Sequence, residues 1–254
     1  MLVAMAPDGS RTEAHRELHL DPGGYTCPYC HHPVHLKRSR VKVSHFAHAP
    51  GADCPAASEP ESPEHLAAKA LLADEFRRLG YDVILERPHP KYRRRVDVAV
   101  RVPGRSGPVF VAVEVQASAI STEEVIRRER ADHAGGYLST LWCFTRSSCP
   151  ELLVMEPDVE FRVPEEIRFL HRTLSTQVAI LDVSSRTMWL TDLARHRRSG
   201  DSWFDTAGNE QSSRGYSPRT LRSVERTRAT FALQPKWVTP TKQRPRWIAT
   251  FTPA

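Results

Sequence analysis

The stretch VFVAVEVQ, residues 109–116, constrains the fold more than any other. In a β-strand alternate residues share a face. Val109, Val111, Val113 and Val115 take one face; Phe110, Ala112, Glu114 and Gln116 take the other. Both faces are apolar until Glu114. Such a strand belongs in the middle of a sheet covered on both sides. The pattern raises a question: why does a central strand end in a carboxylate and an amide?

The flanking segments supply partners for it. Residues 62–79 place Leu66, Ala70, Ala73 and Phe76 near helical spacing, with Ser62 as N-cap, Pro63 at the first helical position and Gly80 as the stop. Strands are expected over 81–86, 94–102 and 109–117, then a helix capped by Ser121 over 121–135, then a strand over 137–145. The order is α-β-β-β-α-β. The first twenty residues imply a hairpin turning at Pro7-Asp8-Gly9-Ser10. PAASEPESPE, 55–64, reads as a polar linker. After residue 146 the pattern weakens to a helix over 163–174 and a hairpin over 177–191, and from 192 onward it reads as loops. Three regions follow: an N-terminal module over 1–58, a core over 59–146 and an α+β accessory segment over 147–254.

The first region carries Cys27-x2-Cys30 and His45-x2-His48. These are four ligands of the kinds zinc prefers, at a separation close to that of zinc modules. Cys54 is a spare ligand, and His31, His32 and His35 stand nearby. Nothing adjacent reads as the general base of a catalytic zinc, so the expected role of Zn²⁺ is structural. A loop with incidental thiols is the alternative. No apolar run approaches the ~20 residues of a membrane helix. The N-terminus has no basic segment leading into an apolar one. A cytoplasmic protein without a membrane partner is therefore expected, its five cysteines being thiols or metal ligands.

In the core, Asp97 interrupts one apolar strand and Glu114 the next; Glu86 closes the strand before them and Glu64 opens the preceding helix. A charge inside a sheet is costly unless paired or bound to metal. Several carboxylates on adjacent strands suit a hard divalent ion, Mg²⁺ or Mn²⁺. The competing reading pairs Asp97 with the Arg93-Arg94-Arg95 run and turns Glu114 to solvent.

An acid on one core strand followed by acid-x-amide on the next resembles the PD-(D/E)xK nucleases, with Gln116 where those usually carry Lys. A more specific resemblance is to the competence protein CoiA-like nucleases. It rests on CPYC (27–30), HFAH (45–48), SPEHLAAK (62–69), RVDVAV (95–100), VEVQAS (113–118) and Leu141-Trp142, and spans residues 1 to about 145. In that family Glu-x-Gln is usual; the second helix here has His133 about where the family often has Tyr. The resemblance implies an α/β fold with an αβββαβ restriction-endonuclease-like core and metal-dependent hydrolysis of DNA phosphodiesters, in DNA uptake, recombination or processing. On that reading Asp97 and Glu114 ligate the metal and Gln116 orients water or phosphate. Lys69, one turn from His65, replaces the missing cation. Glu64 or Glu86 holds a second ion or a water, and His65 is either an acid–base group or a packing residue.

The net charge is +6, unevenly spread: residues 193–254 hold 12 Lys/Arg against 4 Asp/Glu. A basic terminal segment on a near-neutral body attracts phosphate polyanions, so DNA, single- or double-stranded, is the expected partner. Because Gln116 is not a cation, a second reading stays open: a non-cleaving DNA-binding adaptor that assists a recombinase.

Overall fold

The computed structural model describes the chain except residues 55–60, 93, 105, 150–151, 153–160, 196–199, 215–220 and 241–243, and describes backbone alone at 161–162, 194–195 and 221–223. It is a mixed α/β protein with few helices and two large sheets. The first sheet has the order β2-β1-β3-β4-β5, formed by β1 (Val3–Met5), β2 (Arg11–Glu13), β3 (Tyr25–Thr26), β4 (Pro33–Lys37) and β5 (His45–His48). β1 and β2 form the expected hairpin. Gly9, at φ +82°, occupies the left-handed position of its turn, and Asp8 accepts the Ser10 N–H at 2.8 Å.

Next comes α1 (Pro63–Arg78), where Ser62 Oγ accepts the His65 N–H at 3.1 Å. Gly80, at φ +85°, ends it, with the Tyr81 N–H returning to the Phe76 carbonyl. There follow β6 (Asp82–His89), β7 (Arg94–Val102), β8 (Val109–Gln116), α2 (Thr122–Ala134) and β9 (Tyr137–Thr145), in the α-β-β-β-α-β order read from the sequence. β6, β7 and β8 are antiparallel neighbours, and β9 runs parallel to β8 after the α2 crossover.

The second sheet does not end there. β10 (Phe161–Arg162), α3 (Glu165–Phe169) with a π-helical turn over 170–174, β11 (Val178–Asp182) and β12 (Thr187–Arg195) continue the chain. β11 pairs parallel to β9, and β12 antiparallel to β11. The expectation of loops from 192 onward fails. β15 (Leu221–Val238) pairs along β12 and then, past an irregularity between Ala229 and Leu233, along β16 (Arg246–Pro253). Only β13 (Ser202–Phe204) and β14 (Glu210–Ser212) stand apart, as a two-stranded sheet. β15 escaped detection because Arg222, Arg226 and Arg228 hide the alternation of Ala229, Phe231 and Leu233.

The central strands are covered on both faces, as β8 requires. Leu66, Leu72 and Phe76 of α1 pack on Val98, Val100, Val111, Val113 and Val115. On the other side Val125 of α2 and Ile167 of α3 pack with Trp142, Phe144 and Ile180. Among the described residues no helix is long and apolar enough to cross a membrane.

Candidate functional site

Among the described residues two clusters of ligating side chains form, one beside each large sheet. In the first, the turn between β3 and β4 carries Cys27 and Cys30, β5 ends at His48, and Cys54 lies just beyond. Their ligand atoms all fall within 4.8 Å of one another. The Cys27 and Cys54 sulfurs are 4.0 Å apart, and Cys30 Sγ is 3.2 Å from His48 Nε2. Tetrahedral zinc with bonds of about 2.0–2.3 Å needs donors roughly 3.3–3.8 Å apart, so three thiols and one imidazole fit. The Tyr29 N–H points at Cys27 Sγ from 3.4 Å. Burial, with Cys54 and Cys27 crowding it, pushes the Cys30 thiol up to about 12; a coordinated cation reverses this by favouring the thiolate. Burial also lowers the His48 pKa and so keeps a neutral imidazole ligand. His45 is not in this cluster, contrary to the sequence expectation. Residues three apart on a strand face opposite ways, and the His45 ring instead lies 3.2 Å from the Val43 carbonyl. Cys54 takes its place.

The second cluster lies where β7 and β8 part. Their ladder runs from Val102–Val109 to Val98–Val113 and stops. Past that point the Asp97 carboxylate accepts the Val115 N–H at 3.0 Å. Asp97 Oδ2 also meets His65 Nε2 at 3.2 Å, and its other oxygen is 3.8 Å from Lys69 Nζ. Lys69 is 0% exposed, pairs with Glu61 and reaches Glu86 at 2.5 Å. Arg95 holds Glu61 at 3.0 Å. Glu61, His65 and Asp97 bring one donor atom each within 4.8 Å of one another, a set able to hold a metal ion. Burial alone would raise the Asp97 pKa; His65, Lys69 and Arg95 outweigh it and hold the carboxyl below its usual range.

Glu114 belongs to a different set. It is 0% exposed, ion-paired with Arg94 and 3.3 Å from Arg128, while Arg94 also meets Asp132 at 3.1 Å. Burial, reinforced by Asp97 and Asp132, raises its pKa in spite of both arginines. Glu114 and Asp97 touch, the Asp97 N–H facing Glu114 Oε1 at 3.4 Å, while the Glu61–His65–Asp97 group does not include Glu114. The competing sequence reading is right that Arg95 acts on Asp97, although the closest pairs of the arginine run are with other acids. The arginine run neutralises Glu114 and Glu61, Glu114 is not turned to solvent, and Arg93 lies outside the described residues.

The remaining expected residues are placed as follows. Gln116 is buried, its amide donating to the Ser118 carbonyl at 2.7 Å. Glu64 bonds the Ser147 hydroxyl and stays out of the Glu61–His65–Asp97 group. Glu86, skipped between the Leu85–Val98 and Arg87–Val96 pairs of β6 and β7, is a junction residue. Its carboxylate accepts the Leu2 and Val3 N–H groups at 2.8 and 3.2 Å as well as Lys69. Arg11 donates to the Leu85 and Glu86 carbonyls at 2.7 and 3.2 Å. Glu86 has φ +47°, a backbone conformation costly for a side chain of this type. These bonds to β1 and β2 hold it there, so the two sheets meet at the edge of the carboxylate cluster.

Two family models cover most of this architecture. One, described as competence protein CoiA, N-terminal domain, matches residues 9–57; the other, competence protein CoiA, nuclease-like domain, matches residues 61–151. The chain belongs to the competence protein CoiA family. Searches of curated proteins and of solved structures gave no match. The CoiA N-terminal domain match contains the three cysteines and the histidine of the first cluster, and the CoiA nuclease-like domain match contains the whole carboxylate cluster.

Sequence reasoning missed Glu61 and Asp132 around the second site, and it drew Arg94 and Arg95 only as partners of Asp97. A signal for Glu61 existed: 61, 65 and 69 recur every four residues, a helical spacing that carries across the N-cap. Asp132 had none, since a single acid on a charged helix reads as surface.

Proposed function

We propose that the protein is a metal-dependent DNA nuclease of the CoiA type, hydrolysing phosphodiesters in DNA uptake or recombination. The observation that carries this reading is the convergence of Glu61, His65 and Asp97 beside buried Lys69, inside the segment matched as nuclease-like. The two carboxylates and the imidazole suit Mg²⁺ or, with its better tolerance of nitrogen, Mn²⁺. A divalent ion held by Glu61, His65 and Asp97 would supply Lewis-acid neutralisation of phosphate charge and a water of lowered pKa. Asp97 stays ionised, its carboxylate fixed by the Val115 N–H. Lys69 balances the surplus negative charge and orients Asp97 and Glu86. His65, whose Nε2 meets Asp97, is the third donor of the set. The parting of β7 and β8 matters because past it the Val115 N–H is given to the Asp97 carboxylate. The Cys27, Cys30, His48 and Cys54 cluster serves as a structural zinc site.

The αβββαβ element order, with antiparallel β6-β7-β8 and parallel β9, supports reading the core as restriction-endonuclease-like. The deciding experiment is cleavage of single- and double-stranded DNA with Mg²⁺, with Mn²⁺ and with chelator. Cleavage that needs the divalent ion, and vanishes in Asp97→Ala while DNA affinity persists, is the expected result. DNA affinity derives mainly from Lys/Arg contacts to the backbone, so it separates binding from chemistry.

A second reading, a non-cleaving adaptor that assists a recombinase, draws on one specific observation. Every acid of the cluster already has a cation: Lys69 for Glu86 and Asp97, Arg95 for Glu61, Arg94 and Arg128 for Glu114. DNA binding with no cleavage under any divalent ion would favour it.

A further inference from the structure

We propose that the exposed Trp237–Trp247 pair on the β15–β16 ribbon is a stacking platform for unpaired bases of single-stranded DNA; this rests on the nucleic-acid reading above. The two indoles are direct partners across the ladder. Their rings meet edge to face, with centroids 5.5 Å apart and planes at 64°. Trp237 is 54% exposed and Trp247 41%. An edge-to-face pair covers an edge of one ring and leaves broad π surface in water. Stapling the ribbon does not require that exposure, because Val238 and Ile248, next to the pair along each strand, are already buried.

The chemistry around the pair selects the occupant. Residues 226–254 contain six Lys/Arg and no Asp/Glu, Glu225 being the last acid of the chain. Exposed Arg244 stands just before β16, while Lys236 and Arg246, one position from the tryptophans, alternate to the ribbon's other face. An acid-free cationic stretch attracts a polyanion. Exposed indoles add a preference within that class: aromatic faces take unpaired bases, and do so with little sequence preference. Bases of a duplex are already stacked on one another and offer the indoles no face.

The platform stands away from the carboxylate cluster. The Ala249 N–H of β16 donates to Ser139 Oγ near the start of β9, whereas Gln116 pairs with Phe144 near its end. Five residues of strand at ~3.3 Å each put ~17 Å between the two levels. Tryptophan substitutions therefore act on binding and leave the chemistry alone.

The test uses the full chain without added Mg²⁺ or Mn²⁺, and fluorescence anisotropy with a labelled oligo(dT) of about 16 nucleotides, a duplex of the same length and an oligo(rU). Trp237→Ala and Trp247→Ala should each weaken oligo(dT) binding roughly 5- to 100-fold, and the Phe variants should recover most of the loss. Duplex affinity should barely move. The salt dependence should keep its slope, since no phosphate contact is lost, whereas Arg244→Ala should reduce it by ~0.7. Unchanged oligo(dT) affinity in the Ala variants, equal losses in Ala and Phe variants, or equal losses on duplex would overturn the proposal. Tighter binding of oligo(rU) would overturn the choice of DNA. A wild-type dimer that becomes monomeric in the double Ala variant would assign the pair to a second copy of this chain instead. A protein that binds oligo(dT) through these residues yet cuts nothing keeps the platform and sinks the nuclease reading. One that cuts DNA while the Ala variants bind normally sinks the platform alone.

Discussion

Replacing Lys69 with Met asks whether the carboxylate cluster is built around a cation. Lys69 has no exposed surface and faces Glu61, Glu86 and Asp97. Burial would lower its pKa, but Glu86, Glu61 and Asp97 reverse that and keep the ammonium charged. Methionine has nearly the same shape and no charge, so packing is conserved and the three carboxylates are left with Arg95 and, at Glu61, the Met1 ammonium at 2.7 Å. Removing one member of a buried ion cluster costs about 3–5 kcal/mol. For a chain of this size each kcal/mol moves Tm by about 2–4 °C, so a drop of roughly 6–20 °C is expected in metal-free buffer. The second half of the prediction is the sharper one. With the Lys69 ammonium gone, the Glu61 and Asp97 carboxylates lose one of their cations, and Mn²⁺ should bind there more tightly than in the wild type. A ligand present at a hundred times its Kd stabilises by about 2.7 kcal/mol, so Mn²⁺ should return a large part of the loss. Denaturant unfolding of zinc-loaded wild type and Lys69→Met, with and without MnCl₂, reads both effects, with Lys69→Met/Asp97→Asn as control. If Lys69→Met is as stable as the wild type, or if Mn²⁺ stabilises both equally, the ammonium does not stand in for the metal charge.

Protein purified without chelator should carry one Zn²⁺ per chain by elemental analysis; Cys54→Ala and His48→Ala should lose it while His45→Ala keeps it. Glu86→Ala should cost about 3–5 kcal/mol, and hydrogen exchange should show the Leu2 and Val3 amides losing protection; retained protection would mean the two sheets are joined elsewhere. His171, beside Thr191 at 3.4 Å, has its pKa lowered to about 4 by burial. The unfolded imidazole near 6.5 then binds the proton more readily, so this contribution is complete above pH 6.5 and is lost as pH falls toward 4. It amounts to at most ~3 kcal/mol at 1.36 kcal/mol per unit. His171→Gln should flatten unfolding free energy against pH in that window.

What the sequence disclosed follows the strength of local signals. The run Val109–Val115 required cover on both faces, and α1 on one side with α2 and α3 on the other provide it. Ser62 and Ser121 cap the helices they precede because each hydroxyl reaches the amide three residues on. The CxxC pair was legible because two cysteines on one tight turn have few other uses. The fourth zinc ligand was not: choosing between His45 and Cys54 requires knowing that β5 runs straight through 45–48 and alternates its faces. Likewise Asp97 and Glu114 were visible as misplaced charges, but their division between two cation sets depends on where β7 and β8 stop pairing, a tertiary fact. β15 was lost because its arginines occupy positions that a strand pattern expects to be apolar or neutral.

The question posed by the end of β8 now has a physical answer, and it assigns unequal roles to the two neighbouring acids. Asp97 and Glu114 are adjacent across the parting strands, yet their proton affinities move in opposite directions. His65, Lys69 and Arg95 overcome burial to lower one, while burial with Asp97 and Asp132 nearby raises the other. Two neighbouring acids separated in this way have unequal roles: Asp97 is held as a carboxylate, and Glu114 depends on Arg94 and Arg128 to balance its charge against burial. On the nuclease reading Asp97 is the ligand, and Glu114 is a support that anchors Arg94 and Arg128 behind it. Glu114→Gln keeps the shape and the acceptor oxygen, so Mn²⁺ affinity measured by electron paramagnetic resonance should stay within a few-fold of wild type. Asp97→Asn should lose it, because the carboxylate shared by His65 and the Val115 N–H is the centre of the donor set. If Glu114→Gln loses Mn²⁺ as completely as Asp97→Asn, then Arg94 and Arg128 release Glu114 when metal enters. In that case the ligand set is the Asp97–Glu114 pair that the strand pattern first implied.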